Sequence, residues 1–425
     1  MSRQIFIDLT ELTTVKGGKL RYYGIARTVA EIARWFALKY PDARFVVHSA
    51  DFQQFFEVFP QITDRDKALV DLNVPDFDIL RFRRVFHEKG KGEEKLVKLL
   101  GPAVAFWNKR KIRNSGLNLT PVDMNGGMLF SAARPKLIID MIDTRNARGF
   151  DLEFHPLIHD MIPMHDYGGH TVLSFPLNFY KDSKYTIENS VQIITNSQFT
   201  LDDMVRFAND GKFDLPDDLV PVPLVHECPE GTEEPEIELP ESPYFLCVGS
   251  LMGRKNLNIL LKAMLMQHRR GGKMPRLIIA GAYRKHIARE LATDVCSPIV
   301  PYVKQVHNPN QTDLIRLYQN AVALLMPSKI EGWGLPAGEA LWLGTPAICS
   351  TAPVLREVCG DLALYFDPED AEELLVHMNR LMDDPDYRET LRQKIIAAKP
   401  TLRTWEMVAD DVHAALTGKA ERGAS

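Results

Sequence analysis

The stretch from Ser328 to Pro346, Ser-Lys-Ile-Glu-Gly-Trp-Gly-Leu-Pro-Ala-Gly-Glu-Ala-Leu-Trp-Leu-Gly-Thr-Pro, limits the choice of fold more than any other. Upstream of it, Ala321-Val-Ala-Leu-Leu-Met326 has the length and apolar character of a buried parallel strand, closed by Pro327-Ser328. Gly332-Trp-Gly-Leu-Pro336 follows as a loop whose glycines allow positive φ and close approach to a ligand. Pro336 suits the first turn of a helix, and the pattern predicts that helix over Ala337 to Leu343. Gly344 would cap it and Pro346 would stop it. Glu331 and Glu339 therefore bracket one glycine-rich loop at the carboxyl edge of a parallel sheet, where open α/β sheets bind ligands.

Carboxylates only accept hydrogen bonds and so fit a ligand that presents hydroxyls. The free amides at the start of the helix favour an anion such as a diphosphate. A ligand with both groups is a nucleotide-sugar.

Glu331-x7-Glu339 within Glu-Gly-Trp-Gly-Leu-Pro-x-x-Glu-Ala resembles the signature of retaining glycosyltransferases of family 4. The resemblance implies the GT-B fold, two Rossmann-like doubly wound domains facing across a cleft. At 425 residues the chain is long enough for two cores. The boundaries expected are 1–222 for an acceptor-side domain, 223–242 for a linker and 243–400 for a nucleotide-sugar domain. Residues 401–425 would form a helix crossing back to the first domain, with a polar tail.

Tyr244-Phe-Leu-Cys-Val-Gly-Ser250 restarts a strand, with Arg254-Lys-Asn256 in the loop after it. An adjacent Arg and Lys could neutralise a departing diphosphate. The run Gly249 to Asn256 is similar to the family's Gly-x-x-x-x-Arg-Lys-Asn element. The resemblance implies that Arg254 and Lys255 hold the diphosphate, Glu339 accepts from the ribose, and Glu331 binds hydroxyls of the transferred sugar. It also places Gly249, Asn256, Gly332, Trp333, Gly334 and Leu335 around the donor. Arg276–Gly281 is a further strand, and Gln311–Asn320 the helix before the central stretch. Arg356 stands where the family often has proline.

In the first half, Gln4–Leu9 reads as a strand and Tyr23–Ala37 as a helix. The glycines between them, Gly17, Gly18 and Gly24, lack the dinucleotide-fingerprint spacing, which removes the main support for a dehydrogenase. Gly24-Ile-Ala-Arg27 is similar to the family's Gly-Ile-x-Arg, which lies against the donor diphosphate; a plain connecting loop is the alternative. Arg44–His48, Met128–Phe130 and Lys136–Asp140 read as strands of a doubly wound sheet.

Four histidines, His155, His159, His165 and His170, fall close together but lack the spacing and companion carboxylate of a metal site. His159-Asp-Met-Ile-Pro163 instead resembles a family element whose histidine faces the transferred sugar. Asn196 and Ser197 fit the family's strand-then-Asn-Ser pattern or simply cap a helix. The lone Asp76-Phe-Asp78 carries little weight as a metal pair, and neither metal nor cofactor is expected beyond the donor.

Seven glutamates and no basic residue between Glu227 and Glu241, with interspersed prolines, predict an exposed linker. Net charge of −5 gives no general reason to expect nucleic acid. Between Arg81 and Arg113, however, eleven basic residues face three acids, a local charge of +8 interleaved with aromatics. Such a segment rests on an anionic membrane, receives a phosphorylated acceptor, or is a solvated helical face. The five unpaired-spacing cysteines read as reduced, mostly buried thiols. With no signal-peptide pattern at the start and no long apolar run, the expectation is a cytoplasmic or peripheral protein.

With the family resemblance, these features point to a hexosyltransferase with a nucleotide-sugar donor and a glycan or lipid-linked saccharide acceptor. The Glu-Gly-Trp-Gly-Leu-Pro variant and the opening Ile-Phe-Ile-Asp-Leu resemble bacterial polysaccharide mannosyl- and rhamnosyltransferases, which makes GDP-mannose the first expectation. The resemblance implies front-face retention, and an oxocarbenium-like state would need charge stabilised at both sugar and phosphate. A nucleotide-sugar 2-epimerase of the same fold and a non-catalytic nucleotide-sugar-binding subunit are the other readings. The first would need acid and base carboxylates; the second would be expected to lack Arg254, Lys255 or Glu331, all of which are present.

Overall fold

Short β-branched and aromatic runs become strands, and the amphipathic stretches between them become helices. A computed structural model describes residues 3–14, 24–76, 91–117, 119–165, 174–249, 253–281 and 285–418. The chain divides into two compact units. One takes the chain up to Pro223 and regains it at Trp405; the other is Leu224–Thr404.

The first unit contains β1 (Gln4–Asp8), α1 (Ile25–Lys39), β2 (Arg44–Ser49), β3 (Gln54–Val58) and a small hairpin, β4 (Gln61–Asp64) with β5 (Leu69–Asp71). It continues with α2 (Lys91–Asn114), β6 (Thr120–Pro121), β7 (Gly127–Ser131), α3 (Pro135–Arg148) and β8 (Leu152–Ile158). It closes with α4 (Ser174–Glu188), β9 (Gln192–Thr195), α5 (Gln198–Asn209) and β10 (Asp218–Pro221). The sheet runs β10-β9-β8-β7-β1-β2-β3-β6 and is parallel except at β3. Strand order reverses between β1 and β7, which makes that edge the switch point.

Lys136–Asp140 is not a strand. Pro135 fixes the first helical turn, and Ile138, Ile139, Met141 and Ile142 are buried at helical spacing, so the apolar run belongs to α3. The first helix starts at Ile25 rather than Tyr23, because Gly24, with φ 59°, is its N-cap. Ser197 caps α5, its side chain accepting from the Thr200 amide.

The second unit contains β11 (Tyr244–Val248), α6 (Leu257–Arg269), β12 (Arg276–Gly281), α7 (Lys285–Leu291), β13 (Val303–His307), α8 (Gln311–Gln319) and β14 (Ala323–Met326). After these come α9 (Leu335–Trp342), β15 (Ala347–Ser350), α10 (Pro353–Cys359), β16 (Leu364–Phe366), α11 (Ala371–Asp383) and α12 (Pro385–Ala398). Its all-parallel sheet runs β13-β12-β11-β14-β15-β16, so the switch point lies between β11 and β14. Phe245, Cys247, Leu260, Met264, Ile279 and Leu325 are among the buried residues of one face.

The last helix, α13 (Trp405–Thr417), belongs to the first unit. Lys39 of α1 pairs with its Glu406 and Asp410 at 2.8 and 2.7 Å, and the Tyr40 ring stacks on His413. The glutamate-rich segment does not hang free: its backbone is laid along α8. The amides of Glu236 and Ile237 donate to the Asp313 carboxylate, and Thr312 donates to the Glu233 carbonyl. All five cysteines are free and buried. Among the described residues, no helix is long and apolar enough to cross a membrane.

Candidate active site

Arg254 and Lys255 sit in the turn that follows β11, and Glu331 in the loop that follows β14. Because β11 and β14 are neighbours, residues far apart in sequence meet at the switch point. Arg254 Nη1 donates to Glu331 Oε2 at 2.6 Å and to the Ile330 carbonyl at 2.9 Å, and Lys255 Nζ pairs with Glu331 Oε1. The Arg254 carbonyl in turn accepts from the Lys329 amide at 2.7 Å, so the two loops are also joined through backbone.

Glu331 is 5% exposed. Burial pushes its carboxyl up, but Lys255 and then Arg254 outweigh that and bring its pKa down to about 2. Glu331 is therefore an anion throughout the neutral range and no proton donor. Its contribution to stability is present above the ordinary value of 4.5 and is lost only as pH falls toward about 2.

Asn256 adopts a left-handed conformation, φ 56°, and its side-chain amide donates to the Pro368 carbonyl at 2.7 Å, which fixes the start of α6. Gly249 follows β11 with φ 116°. Gly334, with φ 111°, caps α9, and a Cβ there would stand 2.8 Å from Leu355 Cδ2, so both conformation and space call for glycine. Pro336 is in the first turn of α9, and Gly344 follows its end with φ 74°. Gly332 is buried within the same loop and Leu335 is half-buried at the helix start.

Glu339 and Trp333 point into the unit's interior. Glu339 is buried and accepts from the Tyr318 hydroxyl at 2.8 Å. The Trp333 indole is 4% exposed; it donates to the Val225 carbonyl at 3.0 Å and packs edge-on against His226. Its side chain thus braces the loop from within.

Sequence reasoning missed Tyr318 and the segment Leu224–Glu227. Arg403 holds that segment through its backbone and guanidinium, and His226 Nε2 is bonded to the Val358 carbonyl at 2.7 Å. No local pattern marks these residues, because their partners lie more than a hundred positions away or on another helix.

In the first unit, Gly24 occupies the N-terminus of α1, and His159 follows β8. His159 Nε2 is bonded to the Ala132 carbonyl at 2.7 Å, which makes Nε2 the protonated nitrogen and leaves Nδ1 as an acceptor. Burial pushes its pKa down, so the ring is neutral near pH 7. The other described histidines of that segment have separate partners: His155 bonds to Gln192 and His165 to Asp203. His170 and Asp78 lie outside the described residues, among which no three His, Cys, Asp or Glu side chains group to hold a metal ion.

Beside His159, at the switch point of β1 and β7, is a polar cluster that the sequence did not single out. Asp8 accepts from the Thr10 amide at 2.9 Å, the Thr10 hydroxyl and the Ser131 hydroxyl at 2.7 Å. Glu11, buried, pairs with Arg134 at 2.6 Å. An acid ending the apolar run Ile-Phe-Ile-Asp was the available signal. Burial outweighs the hydrogen bonds from Thr10 and Ser131, with Glu11 adding to it, and the pKa of Asp8 is raised to about 6.

Comparison with known proteins separates the two units. The glycosyl transferases group 1 family matches residues 231–398, which lie wholly in the second unit and include Arg254, Lys255, Glu331 and Glu339. The second unit carries a glycosyl transferases group 1 domain.

O-antigen chain mannosyltransferase B of Escherichia coli is 30% identical over 169 residues, 38% of this chain and 42% of that protein. O-antigen chain mannosyltransferase RfbU of Salmonella typhimurium is 31% identical over 144 residues, 34% of this chain and 39% of that one. The chain thus matches less than half the length of these curated relatives. Over nearly the whole chain, the fold is that of sucrose-phosphate synthase from Thermosynechococcus elongatus, with TM-score 0.63, 17% identity and 96% of both chains covered. HepE of Anabaena, solved with UDP and glucose, gives TM-score 0.61 at 13% identity, covering 98% of this chain and 100% of that one. The fold is therefore GT-B, and the group 1 domain supplies its carboxyl-terminal half.

Two outcomes follow from this geometry. Within α9, replacing Gly338 with Ala would ordinarily stabilise the helix by about 1 kcal/mol. Here the new Cβ would stand 3.0 Å from the Val225 carbonyl oxygen and 3.1 Å from His226 Cα. Gly338→Ala is therefore expected to lower the urea midpoint, and an unchanged or higher midpoint would show that the 225–226 segment gives way.

For Asp8, a raised folded-state pKa means that the stability it contributes is full below about 3.8 and lost as pH rises through about 6. The difference in unfolding free energy between wild type and Asp8→Asn should change across that window with a slope of at most about 1.4 kcal/mol per pH unit. Parallel curves would show that Asp8 titrates normally.

Proposed function

We propose that this chain is a retaining hexosyltransferase that uses a nucleotide-sugar donor, GDP-mannose in the first instance. Its acceptor would be a glycan or lipid-linked saccharide, the latter at the inner face of a membrane. The observation that carries the reading is the Arg254–Glu331–Lys255 cluster at the switch point between β11 and β14. The mannosyltransferase names of the relatives that match the group 1 domain support the sugar.

The cluster has one carboxylate for two cations, leaving a formal charge of +1. An arriving diphosphate would draw Arg254 and Lys255 toward its oxygens, aided by the amides at the start of α9. Glu331, already ionised, would then have lone pairs to offer hydroxyls of the transferred sugar. Glu339, held by Tyr318, would accept from the ribose.

As the glycosidic bond breaks, negative charge builds on the diphosphate, where the two cations act most strongly. His159 would accept from a sugar hydroxyl through Nδ1. With Glu331 ionised and His159 neutral but spoken for, the leaving phosphate itself would take the acceptor's proton, consistent with transfer on the front face.

Replacing Arg254 or Lys255 with Ala should lower kcat and kcat/KM together by about 100-fold or more, since each acts on charge that develops in the transition state. The assay is nucleotide release from a panel of nucleotide-sugars, and normal turnover by the double variant would overturn the assignment. Because these cations meet the diphosphate charge, activity should survive EDTA. Loss with EDTA and recovery with Mn²⁺ would instead assign the neutralising role to a metal.

A further inference from the structure

The helix α2 has two unlike faces. Val104, Asn108 and Ile112, spaced four apart, face the first unit; Asn108 and Ile112 are buried, and the Asn108 amide donates to Asp51 at 2.8 Å. The opposite face is exposed and apolar, then cationic. Leu99 is 75% exposed, Phe106 64% and Trp107 74%, and Arg110 follows one turn after Phe106 on the same side.

Water-facing clusters of large apolar side chains mark a surface that is covered in use. Phe106, Trp107, Arg110 and Lys111 also line, with Asn114 and Ser115, a shallow depression of about 610 Å³. Between residues 99 and 120 there are four basic residues and no acid, in a chain whose net charge is −5. Lys109 and Arg113 flank this face, held over the Phe52 ring at 5.6 and 5.9 Å.

We propose that this face of α2 docks on an anionic phospholipid bilayer. The helix lies in the interface, with Leu99, Phe106 and Trp107 entering the headgroup and upper acyl region. Arg110 and Lys111 receive lipid phosphates at the depression beside Trp107. The ordering of apolar and basic residues on one side is that of an in-plane helix, and among the described residues no helix is long and apolar enough to cross a membrane. Charge selects the partner: an acidic protein carrying a basic, aromatic strip is attracted to negative lipid and gains little at a neutral one. This docking is independent of the chemistry proposed for the second unit.

The test is sedimentation of the full chain with phosphatidylcholine vesicles, with and without phosphatidylglycerol, at low and high salt. Wild type should bind the anionic vesicles, release them as salt rises, and ignore the neutral ones. Arg110→Ser should weaken binding about fivefold, the effect of one basic residue near an anionic surface. Phe106→Ser/Trp107→Ser should weaken it by about tenfold or more. These side chains are exposed, so circular dichroism and the unfolding midpoint should not move, which separates lost docking from lost fold.

Negligible binding by wild type, equal binding to both vesicle types, or wild-type binding by the Phe106/Trp107 variant would overturn the proposal. So would a wild-type dimer in solution that the same variant abolishes and anionic vesicles do not compete away, since the covered face would then be a contact between copies.

Discussion

One buried carboxylate between two cations sets the terms for the second unit. Arg254 and Lys255 follow the same strand and would repel each other if nothing stood between them. Glu331, delivered from the neighbouring strand, takes one cation on each oxygen. The loops after β11 and β14 are thereby fixed to each other by charge as well as by the backbone bond from Lys329 to Arg254. Removing the carboxylate would leave two partly buried cations uncompensated, the circumstance in which breaking a buried pair is most costly. The cluster is thus a structural joint that also holds its cations at the place where the fold receives ligands.

Asp8 ends β1 and Glu331 lies in the loop after β14, each at its unit's switch point, and their pKa values are shifted in opposite directions. Both are buried. Glu331 has two cations within hydrogen-bonding distance and ionises easily, whereas among the described residues Asp8 is bonded by neutral hydroxyls and an amide and resists ionisation. In the first unit Arg134 pairs with Glu11. The same architecture therefore offers a permanently charged edge in one unit and a protonatable one in the other, and the difference lies in the partner, not in the depth of burial.

What could be read in the sequence follows how local each determinant is. The β11, β12 and β14 strands, the loop at Gly332–Gly334 and the start of α9 rest on neighbouring residues and were legible, as were the two ends of the Arg254–Glu331 pairing through their resemblance to a known family. Lys136–Asp140 was misread because five residues do not distinguish a strand from a turn of buried helix; Pro135 and the continuation to Ile142 decide it. The acidic segment was read as an exposed linker because its side chains are polar. Its backbone, however, finds partners in Thr312 and Asp313, which composition does not reveal. Tyr318, His226 and the Asp8 cluster required the folded arrangement, since each becomes significant only through residues brought to it by the sheet or by a neighbouring helix.

The uneven reach of the family match bears on where specificity resides under the proposed function. It stops at 231–398, the portion that would handle the donor, and most of what is distinctive in the chain lies outside it. The first unit holds the protonatable Asp8, the Glu11–Arg134 pair, neutral His159 and the exposed face of α2. A donor site faces the same diphosphate whatever the acceptor, so its residues are constrained to one chemistry and stay recognisable.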